Sequence, residues 1–247
     1  MTEYKQNELH KNAAVGISSV SKAFAARPVL QRIDLDVQRS QSVCLCGVNG
    51  AGKTTLLRII AGLLHPDAGS VSLNGYSLRK DPGKAKPQLG VISHKSMVYP
   101  DLTVSENLSF FATLYAVKDS AVRVKELIHD VGLHAYRYDK ARILSRGLLQ
   151  RLAIARALVH RPKILLADEP FTGLDSEASK YLISVFADFT SAGGTIIMTT
   201  HDINAGLQCC RRVVVLDNCR IIFDAMASDI KTDAFAQDYL AYARSGM

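Results

Sequence analysis

The run Gly47-Val48-Asn49-Gly50-Ala51-Gly52-Lys53-Thr54 has the spacing G-x-x-x-x-G-K-[ST]. Glycines at 47, 50 and 52 let the main chain turn several N–H groups toward one point, and Lys53 adds a cation beside them. Phosphate is the ligand this suits. The N–H groups and a helix N-terminus cradle the anion, Lys53 reaches the β and γ oxygens, and the Thr54 hydroxyl can sit on Mg²⁺. Asn49, Ala51 and Thr55 complete the loop and its exit into the helix. A second run, Ile164-Leu165-Leu166-Ala167-Asp168-Glu169, is apolar and ends in two carboxylates. Asp168 is suited to hold Mg²⁺, directly or through its water, and Glu169 to polarise an attacking water as general base. Alone, such a pair is more often a solvated turn. Next to a phosphate loop it supplies what phosphoryl transfer needs in one cleft.

These residues need a scaffold that brings strand ends together. Ser42 to Cys46 reads as an apolar strand and Thr55 to Ala61 as an apolar helix, the context a phosphate loop requires. Short apolar or alternating runs predict further strands at Val15–Val20, Ile33–Val37, Ser70–Leu73, Leu89–Ile92, Ile164–Ala167, Thr195–Thr199, Val213–Leu216 and Ile221–Phe223. Helical periodicity appears at Val104–Tyr115, Ala121–Val131, Leu148–Leu158, Glu177–Phe189 and near the C-terminus. Alternating strand and helix predicts an α/β fold whose sheet has a parallel centre and covered faces. From about 95 to 158 the alternation stops, predicting a helical insert. Pro82, Gly83 and Pro87 make Lys80 to Pro87 a linker-like stretch that should hold no regular element.

With 247 residues, 48% of them hydrophobic, the chain has ample material for a core. Residues 1–12 are polar and read as a loose, disordered tail without the apolar stretch of a secretory signal. No run approaches the roughly 18 apolar residues that span lipid, so membrane association would need a partner. The net charge of +7 comes from scattered Lys and Arg, which reads as a general basic surface, or one attracted to an anionic membrane face, rather than a nucleic-acid site. Cys44 and Cys46 should share one face of their strand as a buried thiol pair, and Cys209-Cys210 lack partners at a metal-ligand spacing.

Between the loop and the acidic strand lies Leu144-Ser145-Arg146-Gly147-Leu148-Leu149-Gln150-Arg151. In this order the three motifs resemble those of the ATP-binding-cassette (ABC) ATPases, and the resemblance extends from about Val15 to Phe223. It implies a P-loop NTPase fold over residues 13–232: a RecA-like core, an antiparallel β subdomain, the helical insert, and a C-terminal helical tail from 233 to 247. It further implies ATP and Mg²⁺ as ligands, with Phe24 stacked on adenine and His201, at the end of Thr195–Thr199, contacting the γ-phosphate. Gly173-Leu174-Asp175 matches the loop through which subunits communicate. Ser145 and Gly147 would bind nucleotide held by a second copy in a head-to-tail homodimer, or by another cassette. ATP would close that dimer and hydrolysis open it, driving integral membrane permease subunits from the cytoplasmic face of a bacterial inner membrane.

Two positions depart from the family pattern. His94 stands where Gln is usual, at the loop from sheet to insert, and would meet the attacking water as a catalytic group whose titration near neutrality could tune coupling. Arg146 and Leu148 replace the usual Gly and Gln, and the sequence leaves open whether Arg146 adds charge at the phosphate or points to solvent. The strings Ser93-His94, Leu102 to Leu108, Leu144 to Gly147 and Pro170 to Asp175 look, more narrowly, like the ATP-binding subunits of bacterial heme exporters of cytochrome c maturation. Exporter cassettes for drugs, lipids or polysaccharides share most of them. Cassette ATPases outside transport usually carry two cassettes or a long coiled coil, and a regulator that does not hydrolyse would have no need of Glu169.

Overall fold

The computed structural model describes residues 13–93, 96–201 and 203–230. The expectations for residues 1–12, for His94 and for a C-terminal helix fall outside them. Among the described residues ten strands form two sheets. β1 (Ala13–Phe24), β2 (Arg27–Gln38), β4 (Ala68–Leu73) and β5 (Tyr76–Ser77) make an antiparallel sheet in the order β2-β1-β4-β5. β3 (Ser42–Cys46), β6 (Leu89–Ser93), β7 (Ile164–Asp168), β8 (Thr195–Thr199), β9 (Arg212–Asp217) and β10 (Arg220–Met226) make the second, in the order β10-β9-β3-β8-β7-β6. Its pairings run parallel from β9 to β6, and β10 closes the end antiparallel. The predicted strands are all present. Two-residue β5 is too short for periodicity to reveal.

β3, β7 and β8 are buried at every residue, which is why they read as continuous apolar runs rather than alternating ones. Leu45 faces the space between the two sheets, together with Leu56 and Ile60 of α1 (Lys53–Ile60). Burying each such side chain stabilises the fold by about 1.5–3 kcal/mol. Cys44 and Cys46 point the other way, toward Leu182 and Phe186 of α6 (Ser176–Ser191). Their sulfurs lie 3.2 Å apart, and mutual hydrogen bonding with burial keeps the Cys46 thiol protonated. α7 (Ile203–Cys209) leads into β9.

Lys80 to Pro87 is not free of regular structure: it holds a short helix α2 (Pro82–Ala85) followed by a 3₁₀ turn at Lys86–Gln88. The prolines sit in first turns, where the missing N–H has no helical partner to lose.

Between β6 and β7 run α3 (Val104–Leu114), α4 (Ser120–Asp130) and α5 (Arg146–Leu158), around their own core of Val104, Leu108, Leu127, Ile128 and Leu152. Thr103 and Glu106 cap α3 reciprocally, with bonds of 2.7 and 3.1 Å. α5 is bound to the outer edge of β6. Arg156 donates to the carbonyl of Val91, and His160 Nε2 lies 2.8 Å from that of Leu89, with Tyr115 stacked on the imidazole at 3.8 Å.

Candidate active site

The parallel strands end in register. Leu45 pairs with Thr199, Thr199 with Asp168, and Asp168 with Ser93, so chain segments distant in sequence deliver side chains to one sheet edge. Ligands of open α/β sheets bind at this edge.

Gly47 leaves β3 with φ 154°, and a Cβ there would stand 2.3 Å from the carbonyl oxygen of Leu216 in β9. Gly52, at φ 102°, caps α1 in the left-handed region with no side chain covering the helix start. A Cβ on it would lie 2.8 Å from the carbonyl oxygen of Val29 in β2. The loop is thereby clamped between both sheets, with Ala51 buried, Thr55 half-buried, and Asn49 and Gly50 exposed at its tip. Lys53 is buried, and its Nζ donates to the carbonyls of Gly47 (2.7 Å) and Val48 (3.1 Å). Burial lowers its pKa, opposed by the Glu169 and Asp168 charges. Phe24 stands half-exposed at the end of β1, on the hairpin whose other strand touches Gly52, and Lys22 Nζ lies 5.5 Å from its ring centre.

Asp168 Oδ1 accepts from the hydroxyls of Thr54 (3.0 Å) and Thr199 (2.7 Å), joining the phosphate loop to the acidic strand. Glu169 follows with φ 48°, a left-handed conformation that a non-glycine residue holds only when its surroundings enforce it. Its N–H donates to the Thr199 hydroxyl (3.0 Å), and its carbonyl accepts from the N–H of Thr172 (3.2 Å). The carboxylate is thus turned to His201, whose Nδ1 donates to Oε2 at 2.9 Å. Thr199 is the residue that sequence reading passed over. Its signal was a hydroxyl closing the apolar run Thr195–Thr199.

Ser145, Gly147 and Asp175 take no part in these hydrogen bonds. Ser145 caps α5 by accepting from the N–H of Leu148 (3.4 Å), and the space where a Gly147 Cβ would stand is open. Asp175 caps α6, accepting from the N–H of Ala178 (2.8 Å). Arg146 is exposed but not free in solvent: its Nη2 donates to the carbonyl of Thr172 (3.1 Å). Asn107, also missed, is fully buried. Its side chain accepts from the N–H of Tyr99 and donates to the carbonyls of Tyr99, Leu102 and Thr103, fixing the path from sheet to insert. An amide between Val104 and Leu108 on a helix was the only hint.

A family model described as ABC transporter matches residues 30–172. The linearmycin resistance ATP-binding protein LnrL of Bacillus subtilis is 30% identical over 86% of this chain and 69% of its own length. The Nod factor export ATP-binding protein I of Burkholderia pseudomallei is 35% identical over 85% and 70%. Among solved structures, one titled as the ATP binding subunit of an ABC transporter superposes with a TM-score of 0.84 at 27% identity, covering 94% of this chain and 99% of that one. The structure of cbiO1 from Clostridium perfringens, titled as part of the ABC transporter complex cbiONQ, shares the fold at TM-score 0.79 and 24% identity, with 93% of each chain covered. The α/β fold is that of the ABC ATPases, and the chain belongs to the ABC transporter family as one of its ATP-binding, ATP-hydrolysing subunits.

Proposed function

We propose that two copies of this chain close head to tail on ATP and drive a membrane exporter by opening after hydrolysis. The observation that carries this reading is the continuous network Thr54–Asp168–Thr199–Glu169–His201 beside the phosphate loop. Lys53 leaves the Gly47 and Val48 carbonyls for the β and γ oxygens, while loop N–H groups and the α1 N-terminus receive the remaining phosphate charge. Phe24 stacks on adenine. Glu169 accepts the proton of the attacking water, and His201 orients that carboxylate and meets the γ-phosphate. Ser145, Gly147 and Asp175 of each copy serve the nucleotide held by the other. The Thr54 hydroxyl and Asp168 carboxylate are hard oxygen donors suited to Mg²⁺, which takes few protein ligands beside phosphates and water. When bound, the ion neutralises phosphate charge.

ATP turnover of Glu169→Gln tests the assignment. It should fall by about 10²–10⁴-fold, with nucleotide binding retained. Turnover equal to that of the parent would remove Glu169 as the base.

The exposed side chains of Met97, Tyr99, Phe110 and Leu114 at the start of the insert support membrane subunits as partners there, with Tyr99 and Phe110 packed edge to face at 4.9 Å. Among the described residues no helix is long and apolar enough to cross a membrane. A peripheral position on the cytoplasmic face of a bacterial inner membrane follows from this reading, and the basic surface suits anionic lipid. Export is favoured by relatives named for linearmycin resistance and Nod factor export. Heme as cargo rests on the sequence strings alone. A neighbouring permease gene set with cytochrome c assembly proteins would favour it, and drug-exporter permeases would refute it. His94 follows Ser93, the partner of Asp168 in the sheet register, and we assign it the contact to the attacking water. His94→Gln should then flatten the pH dependence of turnover near neutrality; an unchanged profile removes that role.

A further inference from the structure

Arg146 stands where the family usually carries glycine, and it makes a contact that glycine has no side chain to make. Its guanidinium lies over the turn after the acidic strand, bonded to the Thr172 carbonyl at 3.1 Å. Gly173 makes room for it: at φ 70°, a Cβ there would stand 2.0 Å from Arg146 Nη2. The turn is anchored at both ends and open at its apex. Phe171 packs edge to face against Phe186 with ring centres 6.2 Å apart, Leu174 joins the same core, and Thr172 and Gly173 are exposed. The Thr172 N–H in turn donates to the carbonyl of Glu169. A short path of hydrogen bonds therefore runs from Arg146 through the Thr172 peptide groups to the backbone that holds Glu169 in its left-handed conformation.

We propose that Arg146 is a positioning residue that couples the two ATP sites of the dimer. The inference rests on the head-to-tail reading above. In that arrangement Ser145 and Gly147 of one copy contact the nucleotide of the other, whereas Glu169 serves the nucleotide of its own copy. Arg146 lies between Ser145 and Gly147, so the partner's γ-phosphate attracts the guanidinium away from the Thr172 carbonyl, a neutral acceptor. Filling one site then frees the turn to re-aim the base of the other toward its attacking water, so that occupancy of one site raises turnover at the other. Coupling of this kind needs an element that both sites bias, and the turn Pro170 to Leu174 is that element.

The test measures turnover against ATP concentration for the full chain, as parent, Arg146→Ala and Arg146→Lys. Two sites set an upper limit of about 2 on the Hill coefficient. The parent should exceed 1, Arg146→Ala should fall below the parent to what ATP-driven dimerisation alone contributes, and Arg146→Lys, which keeps a cationic donor, should remain between them. A thermal melt establishes that each variant is folded. In parallel, ATP-driven dimerisation is followed for Glu169→Gln and for the double variant Glu169→Gln, Arg146→Ala. Both should dimerise. A parent coefficient of 1, or an Arg146→Ala coefficient equal to the parent's, overturns the proposal while dimerisation still supports the head-to-tail reading. Failure of Glu169→Gln to dimerise defeats that reading itself. Failure of only the double variant makes Arg146 a joint between the two copies rather than a link between their sites, and also overturns the proposal.

Discussion

Two helix N-termini in this chain are assigned to nucleotide in the proposed function, and they are built in opposite ways. The start of α1 lies behind a loop clamped between two sheets, with Lys53 and Ala51 buried and Gly47 pressed against a carbonyl of β9. The start of α5 is open, with Ser145 and Arg146 exposed, free space at Gly147, and a 3.4 Å cap bond. Both carry the same partial positive charge. The contrast locates the source of preorganisation. The first end is fixed by its own chain's β strands, so it can bind phosphate before any partner arrives. The second has no opposing wall, which is why the proposed dimer brings its ligand on another surface.

Substitutions can break this contrast. The largest effect should come from Gly47→Ala, whose new methyl meets a main-chain carbonyl that cannot yield, costing about 3 kcal/mol and abolishing nucleotide binding. Denaturant unfolding and nucleotide titration measure both, and full stability would show that the loop is less clamped than its contacts imply. Thr199→Val keeps the shape but removes the hydroxyl that donates to Asp168 and accepts from the Glu169 N–H. Stability should drop by about 2 kcal/mol and turnover should fall further than ATP affinity, as steady-state kinetics and equilibrium binding would reveal. Ser145→Ala should cost only about 1 kcal/mol in unfolding experiments, the value of an exposed cap. Its larger consequence should be weaker ATP-driven dimerisation in light scattering. Unaltered dimerisation would mean that the open end of α5 does not meet the partner's nucleotide.

The closed end was legible in the sequence because its signals are local. A glycine pattern, a lysine and two strand-terminal carboxylates occupy contiguous runs, and the parallel sheet aligns them by register alone. Thr199 escaped notice because it bonds Asp168 and Glu169 from another strand, and only the pairing of β8 with β7 brings it beside them. Arg146 was ambiguous for the same reason. Its acceptor lies 26 residues away, on a turn whose Gly173 reads as a generic turn residue until the guanidinium is seen above it. The helix in Lys80 to Pro87 was misread because prolines that interrupt a helix interior are tolerated in its first turn.

The left-handed backbone at Glu169 has a consequence for how this protein can be improved or can decay. A glycine there would relieve a cost of about 1 kcal/mol while deleting the carboxylate. With Glu169 as the proposed base, selection for thermal endurance alone would drift toward a sturdier but silent subunit, and a library scored only by melting temperature would enrich inactive sequences at this codon. Pairing such a screen with phosphate release would keep the two demands from separating.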